Sequence, residues 1–264
     1  MPQSSLRVSR SGGNLRTSDA MQDDRGIRIL REFLNELTRG MCVGAVRFWE
    51  KYDGYDHPLR WNERSIYSLL ASSVGKQTPV HLSELAMIRS LDRDSTGEPR
   101  KRILRGRADM WCYLKRSDPI NILIELKRRI ISLRSPTLGK ATEKSWSALQ
   151  KQLATLQRET QHWGEPAFHI GLMVFLPYYL VVGEEFDLRS DTPEPVINKL
   201  ELLRNFLSQK ATWWAEWALP EKMQIFERDQ LAKAPGRGRR RASHEYTPSI
   251  FFGAVVTTLF PTKR

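Results

Sequence analysis

The stretch that most constrains this chain is Gly106 to Arg129, GRADMWCYLKRSDPINILIELKRR. β-branched and aromatic residues flank a polar, Pro-containing break at Ser117-Asp118-Pro119, the pattern of two strands joined by a turn. Strand side chains alternate between faces, so Leu123, Glu125 and Lys127 share one face and Ile122, Ile124 and Leu126 the other. A hairpin closed symmetrically about Ser117 sets Asp109 opposite Glu125 and Arg107 opposite Lys127, whereas a bulge would shift that register. Two carboxylates then meet across the strands.

Like charges directly opposite destabilise a sheet, and partly buried carboxylates resist ionisation unless something positive joins them. A divalent cation is the simplest partner. Mg²⁺ takes oxygen ligands, usually one or two carboxylates, with water and substrate phosphate completing the set. Lys127 beside them supplies a point charge able to steady a phosphate or an attacking water. A Glu-x-Lys on a strand is also the ordinary form of a solvated edge with a cross-strand ion pair. The preceding run INILI, apolar on both faces apart from Asn121, argues instead for a central strand.

Asp109 followed by Glu125-Leu126-Lys127 on the next strand resembles the PD-(D/E)xK signature of the restriction-endonuclease-like superfamily, whose members are mostly metal-dependent DNA nucleases. Ala108 stands where the motif has its proline. The resemblance covers roughly residues 60 to 177 as a layout and implies an αβββαβ core. It also implies that Asp109 and Glu125 hold Mg²⁺, with Mn²⁺ able to substitute, and that Lys127 acts in catalysis. A glutamate from the helix before the first strand often joins the metal in that family, and Glu63 is the matching position. One branch carries a Gln with a Tyr four residues later on the helix after the motif; Gln152 matches the first, but Leu156 replaces the aromatic. Restriction of, or defence against, foreign DNA is the commonest role this resemblance implies.

The net charge of +12 over 264 residues favours a polyanionic partner, nucleic acid before membrane. The length suffices for a sizeable core, and 40% hydrophobic with 27% charged residues is ordinary for a globular chain. With no apolar run long enough to span a bilayer and no signal-peptide core at the N-terminus, a soluble cytoplasmic protein without membrane contact is expected. Cys42 and Cys112 fit no metal-ligand spacing and read as reduced and structural; the five scattered histidines give no zinc pattern.

Taken in order, residues 1–22 read as a disordered basic tail, rich in Ser, Arg and Gly, and residues 23–264 as a single domain. Ile27, Leu30, Phe33, Leu34 and Leu37 have helical spacing that stops at Arg39-Gly40, and a second helical piece runs to Asp53-Gly54, forming a helical N-terminal extension. Asn62 caps a helix that carries Glu63 in its first turn, where an acid also simply complements the helix dipole. Leu82 to Leu91 is the first strand of the core. The basic run Arg100-Lys101-Arg102, with Arg105 and Arg107, lies beside the candidate site and reads as a DNA backbone clamp.

Downstream, Trp146, Leu149, Leu153 and Leu156 form the apolar stripe of a helix, from which Lys144 and Lys151 are expected to face substrate. Ala167 to Leu176 is a buried strand between Pro166 and Pro177, with His169 packed inside it. This alternation of helix and strand predicts an α/β fold with a mixed central sheet flanked by helices. Residues 178–264 form a C-terminal elaboration: a helix from Pro195, a Trp cluster at 213–217 read as packing on a short helix, a mobile basic loop over 232–246, and a final strand from Ser249. The expectation is a metal-dependent endodeoxyribonuclease, with a homodimer as one way to cut both strands. The alternative is a non-catalytic nucleic-acid-binding subunit on the same fold.

Overall fold

The computed structural model describes residues 3–18, 25–52, 58–61, 63–89, 104–115, 119–160, 163, 166–182, 194–227 and 243–259. The chain opens with a hairpin, β1 (Gln3–Arg7) and β2 (Asn14–Ser18), followed by α1 (Arg25–Lys51), α2 (Pro58–Trp61) and α3 (Glu63–Gly75). Three strands come next, β3 (His81–Arg89), β4 (Leu104–Leu114) and β5 (Ile120–Ser132), then α4 (Lys140–Glu159) and β6 (Ala167–Val182). The remainder is α5 (Glu194–Lys210), β7 (Trp213–Ala218), β8 (Ile225–Glu227), β9 (Ser243–Tyr246) and β10 (Ser249–Leu259). The architecture is α/β, with a mixed, open central sheet flanked by helices.

The sheet runs in the order β1-β2-β7-β10-β6-β5-β4-β3. β5 and β6 are parallel neighbours joined through α4, and the other pairs are antiparallel. Leu30, Phe33, Leu34 and Leu37 of α1 and Ile66 and Leu70 of α3 bury one sheet face, against Ile122, Ile124, Leu126, Ile170 and Leu172. On the other face, Trp146 and Leu149 of α4 and Val196, Leu203 and Leu207 of α5 close over Met173, Phe175 and Phe251. Both faces of β5 and β6 are therefore covered, which is why their sequences read as continuous apolar runs.

Four expectations are corrected here. Residues 3–18 are not a disordered tail: β2 pairs with β7 and carries β1 on its outer side. Leu15 and Val8 reach the core, and Ser18 Oγ accepts from the Trp214 backbone N–H at 3.0 Å. Second, α1 does not stop at Gly40 but continues to Lys51. A Cβ at Gly40 would lie 2.8 Å from Ser73 Oγ, and one at Gly44 2.8 Å from Leu69, so these glycines let α1 and α3 approach closely rather than ending a helix.

Third, the Trp cluster is packed as expected but on a strand. Trp213, Ala215 and Trp217 enter one core and Trp214 the other, so β7 is buried on both sides. Fourth, β6 runs through Pro177 to Val182. Its antiparallel neighbour changes there, from β10 ending at Phe251↔Phe175 to β9 beginning at Tyr246↔Tyr179, so the missing proline N–H falls in the gap between partners. Within the expected mobile loop, residues 243–246 form β9, and 232–242 lie outside the described residues.

Candidate active site

The β4–β5 ladder runs from Leu114↔Ile120 to Met110↔Ile124. The next rung in that register is Asp109 with Glu125, as expected from symmetry about the turn, but the backbones do not pair there. Instead Asp109 Oδ2 accepts the Leu126 backbone N–H at 2.7 Å, so the side chain replaces the missing inter-strand bond. The other edge of β4 is irregular at the same point. The β3–β4 register passes from Ser83↔Met110 to Leu85↔Ala108, and Glu84, at the skipped rung, has φ +54°, strained for a residue with a Cβ.

The strand turns over at Asp109. Met110 and Cys112 bury beneath α1 and α3, whereas Ala108, which strict alternation would put on that face, packs on the opposite side with Leu123, Leu156 and Ala167. A single local distortion thus frees the Asp109 carboxylate and opens the β4 side of β5 where Glu125 and Lys127 begin.

Four expected residues converge in that opening. Lys127 Nζ lies 3.2 Å from Glu125 Oε1 and 3.7 Å from Glu63 Oε1, the latter reaching over from the first turn of α3. Tyr67, one turn further along α3, has a single hydroxyl proton that points toward Glu63 Oε1 at 3.3 Å and is shared with Asp109. Tyr67 was not singled out from the sequence. The signal was available, because a residue four positions after Glu63 shares its helix face.

Among the described residues, three carboxylates surround the Lys127 ammonium, and Arg128 lies near Glu63. Burial pushes the Asp109 carboxyl above its ordinary pKa; the Leu126 N–H, the Tyr67 hydroxyl and Lys127 pull it down without cancelling that rise, and Glu63 adds to it. Burial alone would lower Lys127, but Glu125, Glu63 and Asp109 together hold it above its usual value. Tyr67 is raised by burial and then by Asp109, so its phenol stays protonated and remains a donor. Burial lowers Arg128, the next residue, against the pull of Glu63. Side-chain exposure grades from 4% at Glu125 through 28% at Lys127 to 38% at Glu63, so the cluster is reachable from solvent on the α3 side.

The donors fit a hard divalent cation: all are carboxylate oxygens, with no thiolate or imidazole among them. Among the described residues, no group of three or more His, Cys, Asp or Glu side chains is already arranged to hold an ion. Mg²⁺ needs fewer, since one or two carboxylates with water and phosphate satisfy it. Asp109 and Glu125 are the residues that would hold it, with Glu63 at the solvent side.

The expected DNA-contacting residues are less concentrated. Arg100, Lys101 and Arg102 lie outside the described residues, as do the side chains of Arg105 and Arg107, whose backbone belongs to β4. Lys144 and Lys151 are exposed on α4. Gln152 is half-buried on that helix, its Oε1 enclosed and without a hydrogen-bond partner. His169 is packed as expected: Thr160 Oγ1 lies 2.6 Å from its Nε2, and burial drives its pKa down to about 4, leaving it neutral at pH 7.

Comparison with protein-family models, with curated proteins and with solved structures finds no match. The cluster must therefore be read from its own geometry. No helix among the described residues is long and apolar enough to cross a membrane.

Proposed function

We propose that this chain is a Mg²⁺-dependent endodeoxyribonuclease of the PD-(D/E)xK kind, cutting DNA phosphodiester bonds in restriction or defence. The observation that carries the reading is the meeting of Asp109, Glu125, Lys127 and Glu63 at one opening of the sheet. The α3-β3-β4-β5-α4-β6 order, with β5 and β6 parallel, supports it as the αβββαβ layout that the resemblance implies. A bound divalent ion would acidify a water and offset charge on the scissile phosphate. Asp109 is held for this role by the Leu126 N–H and Tyr67. Lys127 is kept protonated by its neighbours and stabilises charge that develops on the phosphate. The net charge of +12 supports a nucleic-acid substrate. A homodimer with paired sites and a cytoplasmic location complete the proposal.

A second reading, a non-catalytic nucleic-acid-binding subunit, is favoured by one observation: Lys127 already neutralises part of the cluster, as a structural ion pair would. Incubation of supercoiled plasmid with the protein and Mg²⁺, Mn²⁺ or EDTA decides between them. The nuclease reading expects nicking or linearisation with either metal and none with EDTA. Tight, salt-sensitive DNA binding without cleavage under any metal would establish the second reading instead.

A further inference from the structure

A cavity of about 260 Å³ opens on the α3 side of the sheet, on the face of β5 opposite to Glu125 and Lys127, lined by Arg60, Ile130, Leu176, Tyr178, Glu245 and Thr247. It shares β5 with the cluster and borders the junction from which α3 starts. Arg60 precedes Glu63 by three residues across the α2–α3 junction, and Ile130 follows Lys127 by three residues along β5, a distance of about 10 Å at strand rise. Ile130 falls in the alternation of Ile122, Ile124 and Leu126, so the cavity continues the α3 side of the sheet beyond the core, toward the ends of β5 and β6.

The lining has two characters. Tyr178 offers an aromatic ring and Ile130 and Leu176 offer apolar walls, Ile130 being 46% exposed at the opening. Arg60 and Glu245 form an ion pair that ties α2 to β9, and Thr247 adds a hydroxyl, so donors and acceptors stand together along one wall. A flat heteroaromatic ring with hydrogen-bonding edges matches this combination. The volume falls just below the range of about 300–1,000 Å³ found for drug-sized ligands, which suits one base rather than a base pair.

Resting on the nuclease reading above, we propose that the cavity receives one unstacked nucleobase of the substrate strand. The base stacks on Tyr178 and presents its edge to Arg60, Glu245 and Thr247. The preferred substrate is then DNA with an unpaired stretch, such as a single strand, a bubble or a flap, because a stacked duplex base would first have to be flipped out.

The test is a binding scan in EDTA, which prevents cleavage, using a single-stranded oligonucleotide in which each base in turn is replaced by an abasic site. The expectation is a loss of about tenfold at one register, the scale of one base stacked on an aromatic side chain. Tyr178→Leu and the cavity-filling Ile130→Trp should both abolish that dependence, with folding checked by circular dichroism. A flat scan for the native protein, or an unchanged scan in both variants, overturns the proposal. Competition by free deoxynucleoside monophosphates together with a flat scan would assign the cavity to a free nucleotide and equally overturn the strand-bound claim. A flat scan with plasmid cleavage intact sinks only the cavity, whereas a register-dependent scan without cleavage sinks only the nuclease reading.

Discussion

Two buried glutamates on central strands differ in how their charge is met. Glu216 on β7 receives Arg204 in a bidentate fork at 2.7 and 2.9 Å and the Ser249 hydroxyl at 3.1 Å. Its charge is matched one to one, and Arg204 is raised accordingly, by the Glu216 hydrogen bond first. Glu125 on β5 is as deeply buried, yet its cation is a lysine held through one oxygen and shared with Glu63, while Asp109 stands close by. Among the described residues three carboxylates gather around the Lys127 ammonium, with Arg128 near Glu63. The bound cation proposed above would offset that like charge.

The largest contrast is expected in catalysis. Glu125→Gln or Lys127→Ala should lower Mg²⁺-dependent plasmid cleavage by about 10³-fold, the scale of losing one preorganised stabilising group. Glu216→Gln should leave the rate per folded molecule unchanged. Equal losses in all three variants would erase the distinction between the two glutamates.

Stability should show the reverse ranking. Arg204→Ala strands Glu216 without its cation and is expected to cost about 3 kcal/mol in urea unfolding, near the lower end for breaking a buried pair because Arg204 is one-third exposed. Asp109→Asn in EDTA should instead raise stability by about 1 kcal/mol. The amide oxygen still accepts from Leu126 N–H, while the charge that burial disfavours is gone.

The smallest effect concerns pH. The folded pKa of Asp109 lies above its ordinary 3.8, so the folded protein holds that proton to higher pH than the unfolded chain. Its contribution to stability is therefore greatest below 3.8 and falls as pH rises toward the raised value. The difference in stability between Asp109→Asn and the native protein should widen over that interval in EDTA. A difference that stays flat with pH would show that burial does not disfavour the Asp109 carboxylate.

Much of this was legible in the chain because strand periodicity is local. The register that brings Asp109 to Glu125 follows from the turn position and a period of two, and the α4 stripe from three- and four-residue spacing. What stayed hidden depended on long-range partners. Residues 3–18 carry a Gly12-Gly13 turn signal but few apolar residues, and β7, the strand that holds their hairpin in the sheet, lies some two hundred residues away. WWAEWA buries both sides and loses the alternation that marks a strand. Gly40 is a contact with Ser73, invisible until α1 and α3 are packed together. The strand reversal at Asp109 was equally unreadable, because Ala108 and Met110 are both apolar and either face would accept them.

The most direct test of whether the surplus charge is a cation site is calorimetric titration of Mn²⁺ into the native protein, Asp109→Asn and Glu216→Gln at neutral pH. The native protein and Glu216→Gln should bind alike, and Asp109→Asn should bind at least about tenfold more weakly, as loss of a charged ligand requires. Equal binding by all three proteins, or none by the native one, would contradict this and leave Glu125 and Lys127 as part of the fold.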